Sequence, residues 1–558
     1  MGAVVTSRWN KRTLFLVISL VVLLGSVVIW SLAGALLQQQ NADQLIDGYL
    51  FSSWRTFHTA QFPLAHSLLI KWPFFIVISA LHDAPWAFVV MTILLATSTV
   101  VGLAYLMWRI EKRPVMLGLE YLGLASILAL VPVWLAASPT TPLNMAMVSG
   151  RNIEYVLYLG ALICLIMAKR VRSLAFIVAT ALLTLLCASD HLFVAFGIGG
   201  AAALLATSYA MSQYQLQRQA RNWAISAVAA WLLSTALLMG IRGHMTGLVD
   251  GFSPYGHATA YNVVNGTGDI VRSILVNFGI TTTNGGLSFI PACVNMVLLA
   301  LVCIASYRLI TTAVHRKQLS KTDTLAVMLM ATSLATFIIF VATNQSYLAD
   351  ARYLTILLFT GCVSVVAYAR TQKIPQHSKG IAGALSVALC IGLSASVIHA
   401  HTIQTTNQLT PRNKTILSLL RSHPEQILVG SYWRVVPIKE QTPHAEQQIL
   451  PLDNCAEPAT TLSSNAWEVD LRTHSFAYIL SLQPTGIAGG ACPLGSVISA
   501  YGLPTSTRVV VGTTKHPIEL LLFYDQGAEI INDAIGQSRL NQYQAIRQME
   551  ELSQPDRQ

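Results

Sequence analysis

The hydrophobic segments of this chain alternate with polar connections whose charge follows a regular order. Eleven apolar stretches lie between Thr13 and Ala400. Every second connection is short and basic, and these six segments hold 17 Lys and Arg residues. They are 1–12, 109–114, 169–172, 212–222, 311–321 and 370–379. The five opposite connections hold only six: Arg55, Lys71, Arg151, Arg242, Arg272 and Arg352. Because Lys and Arg resist translocation, the basic side is predicted to be cytoplasmic.

Composition agrees with a membrane protein. The chain is 54% hydrophobic and 11% charged, whereas a soluble domain carries roughly 25% charged residues. Apolar windows of ~20 residues, the length that spans a bilayer core, recur along it. The sequence therefore predicts a mainly α, polytopic protein with about 11 transmembrane helices. They are placed near 13–36, 86–108, 115–137, 153–168, 173–188, 192–211, 223–241, 287–310, 323–343, 353–369 and 380–400.

The net charge of +10 does not indicate nucleic-acid binding. About half of the Lys and Arg residues lie in predicted cytoplasmic turns, where they set topology and meet anionic lipid heads. Segment 13–36 follows Arg8, Lys11 and Arg12 and is predicted to be an uncleaved signal anchor. An odd number of spans then puts the N-terminus in the cytoplasm and the C-terminus outside the cell membrane.

The predicted domains follow from this topology. Residues 1–400 form the transmembrane domain, whose first external loop is 37–84, and 401–552 form an extracytoplasmic C-terminal domain. Strand-like runs and two helix-like stretches, near 412–422 and 537–552, predict that the second domain is a small α/β or α+β unit. The tail 553–558 is predicted to be disordered. Cys455 and Cys492 lie in an oxidising space and are a candidate disulfide.

The first external loop carries the first candidate site residues. Asp43 and Asp47 are four residues apart, which puts both carboxylates on one face of a helix. A carboxylate there can deprotonate an acceptor hydroxyl, and a pair can hold a divalent cation. His66 and Lys71 flank an apolar interfacial turn in Leu68–Leu81, where they can meet a phosphate, with Lys71 snorkelling to the surface. The alternative is an ordinary amphipathic anchor with solvated acids.

Other ionisable residues fall at the same membrane face, although they come from distant loops. Arg151 and Glu154 lie at the start of the predicted fourth span, and Asp190 and His191 form the tip between the fifth and sixth. Arg352 lies at the external end of the tenth span, where it either pairs with Asp350 or binds an anion bidentately. Charges at such positions are functional hypotheses by default.

Short stretches of this chain resemble motifs of the GT-C superfamily of membrane glycosyltransferases. Phe62–Lys71 is similar to the His-Pro-Pro-Leu…Lys stretch of the protein O-mannosyltransferases, although the two prolines after His66 are missing. Asp350-Ala-Arg352-Tyr353-Leu354 is similar to a Glu-Arg-Tyr-Leu motif of bacterial members, with the acidic residue displaced by one. Ser431–Arg434 resembles a Tyr-Trp stretch of GT-C-like proteins. The signal anchor, the acid early in the first external loop and the external C-terminal domain also match the superfamily.

The resemblance implies a sugar donor on a polyprenyl phosphate and a glycan or protein acceptor. Asp43 or Asp47 would act as the base toward the acceptor hydroxyl. Arg352, with Lys71 or His66, would meet the phosphate, and Arg151 or Glu154 would hold sugar hydroxyls. A second acid would matter more if a divalent cation is required, as in the oligosaccharyltransferase branch of the superfamily. Two other hypotheses stay open: a non-catalytic envelope-assembly or receptor protein of this architecture, and a transporter of lipid-linked glycans.

Overall fold

The computed structural model of the chain is mostly helical, with a small mixed sheet near the C-terminus. It describes the following residues: 62–63, 68–81, 90–91, 94, 151–168, 170–242, 245–246, 271–275, 277–278, 286–315, 318–342, 350–371, 412–421, 427–439, 449–452, 455, 471–482, 492–512 and 517–528. The predicted spans 13–36, 115–137 and 380–400, almost all of 86–108, the predicted helix 537–552 and the tail 553–558 lie outside the described residues. So do Asp43, Asp47 and His66.

Eight helices whose two ends are described lie before residue 372, and the described residues 271–275 are helical as well. The eight helices are α1 (Leu68–Ala80), α2 (Ile153–Met167), α3 (Leu174–Ser189), α4 (Leu192–Ala210), α5 (Tyr214–Arg242), α6 (Gly286–His315), α7 (Lys321–Ala342) and α8 (Ile356–Thr371). A 3₁₀ helix, Asp350–Thr355, leads directly into α8. Helices α2 to α8 coincide with the seven spans predicted between residues 153 and 369.

Three of the described helices are long and apolar enough to cross a membrane, namely α4, the Tyr214–Gly240 part of α5, and α7. Shorter apolar helices include α2, α3 and Leu299–His315. The outward faces of α5 and α6 are strongly apolar, with Leu232, Met239 and Val297 each more than half exposed. Such faces suit lipid rather than water.

The helices pack in a continuous series around one apolar core. Neighbouring pairs are α2 with α3, α3 with α5, α5 with α4, α4 with α7, α7 with α8, and α8 with α6. Several polar contacts between these helices in the interior are made by hydroxyls. Tyr158 bonds to Thr332 at 2.8 Å and to the carbonyl of Phe196, at 3.2 Å, in a π-helical turn of α4. Ser333 bonds to Thr360 across α7 and α8 at 2.7 Å.

Contacts between connections agree with the alternating charge pattern. Strands β1 (Phe62–Pro63) and β2 (Met245–Thr246) pair, and they belong to the first and third predicted external loops. At the other end, the side chain of Gln215 bonds to both the backbone N–H and the carbonyl of Leu319. These residues belong to two predicted cytoplasmic connections. In each case, connections predicted on one side of the membrane contact each other.

The C-terminal part contains a five-stranded mixed sheet. Its strands are β3 (Ile427–Ser431), β4 (Ile449–Leu452), β5 (Phe476–Ser481), β6 (Ser506–Gly512) and β7 (Pro517–Tyr524). The spatial order is β4-β3-β5-β7-β6. Strand β3 pairs in parallel with β4 and β5, and β7 pairs antiparallel with β5 and β6. Helices α9 (Tyr432–Lys439) and α10 (Leu494–Tyr501) accompany the sheet, and residues 412–420 form a further helix.

A disulfide and a buried charge triad brace this sheet. Cys455 and Cys492, the candidate pair, are bonded, and the hydroxyl of Tyr478 donates to the carbonyl of Cys455 at 2.8 Å. On β7, both oxygens of Glu519 accept from Arg412, and one also accepts from Arg434 at 2.7 Å. These hydrogen bonds fasten the helix 412–420 and α9 to the end of the sheet.

Candidate functional site

Two ion pairs lie where α2, α3, α4 and the 3₁₀ helix meet at one end of the helical core. Lys71 and Glu154 form one pair, and Arg151 and Asp190 form the other. All four residues are candidates from the sequence. They come from three predicted external connections and are brought together by the packing of α1 and α2 against α3.

The first pair is held inside the protein by the start of α2. The side-chain oxygen of Asn152 accepts from the N–H of Ile153 at 2.7 Å and thereby caps the helix. The same oxygen accepts a hydrogen bond from the ammonium of Lys71. The ammonium nitrogen lies 3.4 Å from Oε2 of Glu154, and both side chains are at most 1% exposed. Asn152 therefore fixes the Lys71 ammonium beside Glu154.

The second pair is nearer the surface. The guanidinium of Arg151 donates to Oδ2 of Asp190, whose other oxygen accepts from the N–H of Leu192 at 2.9 Å. That bond joins the hairpin tip to the first residue of α4 and orients the carboxylate of Asp190. The guanidinium carbon of Arg151 lies over the ring of Tyr353, 5.2 Å from its centroid. The exposed fractions of the Arg151 and Asp190 side chains are 16% and 7%.

The structure corrects one expectation for Lys71. It was expected to snorkel from an interfacial helix, but its ammonium is turned inward and is fully buried. The helix itself is present as α1, and Ile76 and Val77 on it are exposed. The reason is electrostatic: Glu154 supplies the opposite charge and Asn152 accepts a charge-assisted hydrogen bond, which together replace the solvation of the ammonium.

The remaining candidates differ in position. His191 is exposed at the hairpin tip beside Asp190. Arg352 lies on the 3₁₀ helix, directly before Tyr353 in the chain, so its backbone adjoins the Arg151 site. Asp43, Asp47 and His66 lie outside the described residues. The structure thus brings four candidates together and places Arg352 beside them.

The carboxylate of Glu154 can accept more hydrogen bonds than its described neighbours donate. Among the described residues, no group donates a hydrogen bond of good geometry to either of its carboxylate oxygens, although Glu154 is fully buried and lies beside Lys71. A buried carboxylate normally has several hydrogen-bonding partners, because removing it from water is costly. This arrangement suits a ligand that carries hydrogen-bond donors.

Sequence reasoning did not single out Asn152 or Tyr353 as site residues. A signal for Asn152 existed, because Asn directly before an apolar helical run is a common N-cap. Its second role, orienting Lys71, depends on a residue 81 positions away and has no local signal. In the described part of the chain, no three His, Cys, Asp or Glu side chains come together to hold a metal ion.

Compared with models of known protein families and with curated proteins, the chain has no match. The resemblance to the GT-C superfamily therefore stays a prediction based on short motifs and on the order of the predicted elements.

Proposed function

We propose that this chain is an integral membrane glycosyltransferase that moves a sugar from a polyprenyl phosphate to an acceptor hydroxyl at the extracytoplasmic face. The observation that carries the proposal is the convergence of Lys71, Arg151, Glu154 and Asp190. Connections far apart in the sequence supply a compact charged site beside apolar helices. A lipid-linked polar substrate needs this combination, because its tail requires an apolar surface and its head group requires polar partners.

The chemistry is a displacement at the anomeric carbon. The acceptor oxygen forms a bond to that carbon, the bond from the carbon to the phosphate oxygen breaks, and polyprenyl phosphate leaves. Asp43 or Asp47 takes the hydroxyl proton as general base. Arg352 binds the phosphate and stabilises the charge that develops on it. The C-terminal domain orients the glycan or protein acceptor.

The position of the charges favours a transferase over a transporter of lipid-linked glycans. Sites of secondary transporters lie near the middle of the bilayer, often at interrupted helices. In the described helices of the core, the buried charged residues are Lys71, Glu154, Asp190 and Asp323, and each lies at a helix end or in a terminal turn. The contacts further inside join hydroxyls such as Tyr158 and Thr332.

A non-catalytic envelope-assembly or receptor protein is the second candidate, and charge balance is the observation that favours it. The two cations Lys71 and Arg151 are neutralised by two carboxylates, which is how a purely structural cluster is built. This candidate predicts binding to the envelope without sugar transfer.

A transfer assay separates the two candidates. Purified protein in lipid is given radiolabelled polyprenyl-phosphate hexoses and cell-envelope acceptors. The variants are Asp43→Asn, Asp47→Asn and Arg352→Ala, and Asp323→Asn is the matched control because Asp323 lies outside the site. Transfer by the wild type and the control, lost in one of the two Asp variants and in Arg352→Ala, supports the proposal. Folded protein without transfer from any donor contradicts it.

A further inference from the structure

The carboxylates of the two ion pairs differ in how many hydrogen bonds they accept. Asp190 accepts from Arg151 and from the N–H of Leu192, so each of its oxygens has a donor. In the described part of the chain, Lys71 is the cation beside Glu154, at 3.4 Å, and neither oxygen of Glu154 accepts a hydrogen bond of good geometry. An ionised carboxylate can accept about four hydrogen bonds. Glu154 is therefore the acidic residue of the cluster with unused acceptor capacity.

Lys71, in contrast to Glu154, already uses its ammonium in contacts inside the protein. Its ammonium donates to Asn152, lies beside Glu154 and is fully buried. Asn152 is itself fixed, because the same oxygen caps α2. Bringing a phosphate to Lys71 would leave Glu154 as a buried, uncompensated carboxylate, which costs several kcal/mol. Lys71 is thus placed to neutralise Glu154 rather than to bind the phosphate.

We infer that Glu154 is a specificity-determining residue that accepts hydrogen bonds from hydroxyl groups of the transferred sugar, with Lys71 as its counter-ion and Asn152 as a positioning residue. The inference rests on the proposed function, since it assigns the sugar subsite of the same site. Sugar hydroxyls supply the donors that Glu154 lacks, and they add no charge to a pair that is already balanced. A phosphate would add negative charge beside the carboxylate and is disfavoured there.

The test compares two lipids that differ only in the sugar. Purified full-length protein in nanodiscs is titrated with polyprenyl phosphate and with polyprenyl-phosphate hexose, and the ratio of the two affinities is measured. The wild type is expected to prefer the sugar-bearing lipid. Hydrogen bonds to a charged group predict that Glu154→Gln reduces this preference by about ten- to a hundred-fold. The affinity of the Glu154→Gln variant for the bare lipid phosphate should be unchanged.

A second variant keeps the test valid if Glu154→Gln does not fold. Lys71→Met/Glu154→Leu replaces the buried pair by apolar side chains and leaves no unpaired charge. It should lose the preference for the sugar and keep the affinity for the bare lipid phosphate. Asp323→Asn is the control, a change from carboxylate to amide at the other end of the core.

The outcomes separate this inference from the proposed function. A preference that persists in Glu154→Gln overturns the inference, as does a wild type that binds both lipids equally, and neither result bears on transfer itself. If the double variant loses affinity for the bare lipid phosphate, Lys71 binds the phosphate and the inference is wrong. A wild type that binds neither lipid contradicts the proposed function.

Discussion

At the scale of single residues, the buried Lys71–Glu154 pair decides how the site tolerates change. Removing one partner leaves a buried charge without compensation, whereas replacing both by apolar groups removes the desolvation cost as well as the attraction. We expect Lys71→Met to lower the stability of the helical core by about 3–5 kcal/mol. Lys71→Met/Glu154→Leu should recover most of that loss.

The measurement for this pair is thermal unfolding of the purified variants in the same detergent, followed by tryptophan fluorescence. Lys71→Met should unfold at a clearly lower temperature than the wild type, and the double variant should unfold near it. If the single and the double variant were equally unstable, packing rather than charge would explain the effect.

Glu519 predicts a pH dependence in the sheet. Burial alone would raise the pKa of this carboxyl, but hydrogen bonds and charge from Arg412 and Arg434 outweigh burial and lower it below the ordinary value of 4.5. A lowered pKa in the folded state stabilises the fold above the ordinary pKa, and this contribution is lost as pH falls through the folded pKa. Hydrogen-exchange protection factors of β7 should therefore be constant above about pH 5 and decrease below the ordinary pKa.

Glu519→Gln is the companion variant. It removes the charge that both arginines share, so β7 should lose about 3 kcal/mol or more of protection at neutral pH. Its protection should also no longer depend on pH in the acidic range. Persistence of the wild-type pH profile in Glu519→Gln would assign the profile to another group.

At the scale of elements, α4 is held by the close approach of its glycines to two other helices. A Cβ on Gly200 would lie 2.6 Å from a ring atom of Trp223 on α5 and 3.1 Å from Thr332 on α7. Gly200→Ala should therefore destabilise the helical core by about 1–3 kcal/mol through overpacking. Gly240 on α5 is the matched control, because nothing lies within 4 Å of its Cβ position.

The check is the unfolding temperature of the two glycine variants in detergent. Gly200→Ala should fall below the wild type, and Gly240→Ala should equal or slightly exceed it, since alanine is the better helix former. Equal loss in both variants would mean that α4 and α5 are not packed as closely as the structure has them.

Some elements could be predicted from the sequence, and others could not. The break between α3 and α4 follows from Ser189-Asp190-His191, three polar residues between apolar runs. Strand β5 follows from Phe476–Ser481, a compact run of apolar and aromatic residues. Strand β4, Ile449–Leu452, was missed because Pro451 argues against a strand and the run does not alternate.

The sequence indicates which charged residues are candidates, but it does not indicate which cation pairs with which carboxylate. Arg151, Glu154 and Asp190 are predicted as candidates because they are charges at the ends of predicted spans, and Lys71 because it lies in the apolar interfacial run of the first external loop. Which cation faces which carboxylate depends on how α1 packs against α3, and side-chain periodicity gives no information on such packing.

At the scale of the whole molecule, the disulfide tests the topology. Cys455 and Cys492 close a loop of 37 residues, for which chain entropy predicts a stabilisation of about 4 kcal/mol. If the C-terminal domain is extracytoplasmic, a membrane-impermeant maleimide should label both residues in intact cells only after reduction. Labelling that requires lysis would place the domain in the cytoplasm and contradict the charge pattern.

The central claim is that the cluster at the end of α2 receives the head group of a lipid-linked sugar, and one measurement tests it most directly. A photoreactive polyprenyl-phosphate hexose is bound to the purified protein in nanodiscs, activated, and its attachment sites are mapped by mass spectrometry. The account predicts labels in α1, in the first turn of α2 and at the hairpin tip around Asp190 and His191, reduced by excess unlabelled donor. Labels confined to the basic connections or to the sheet would contradict it.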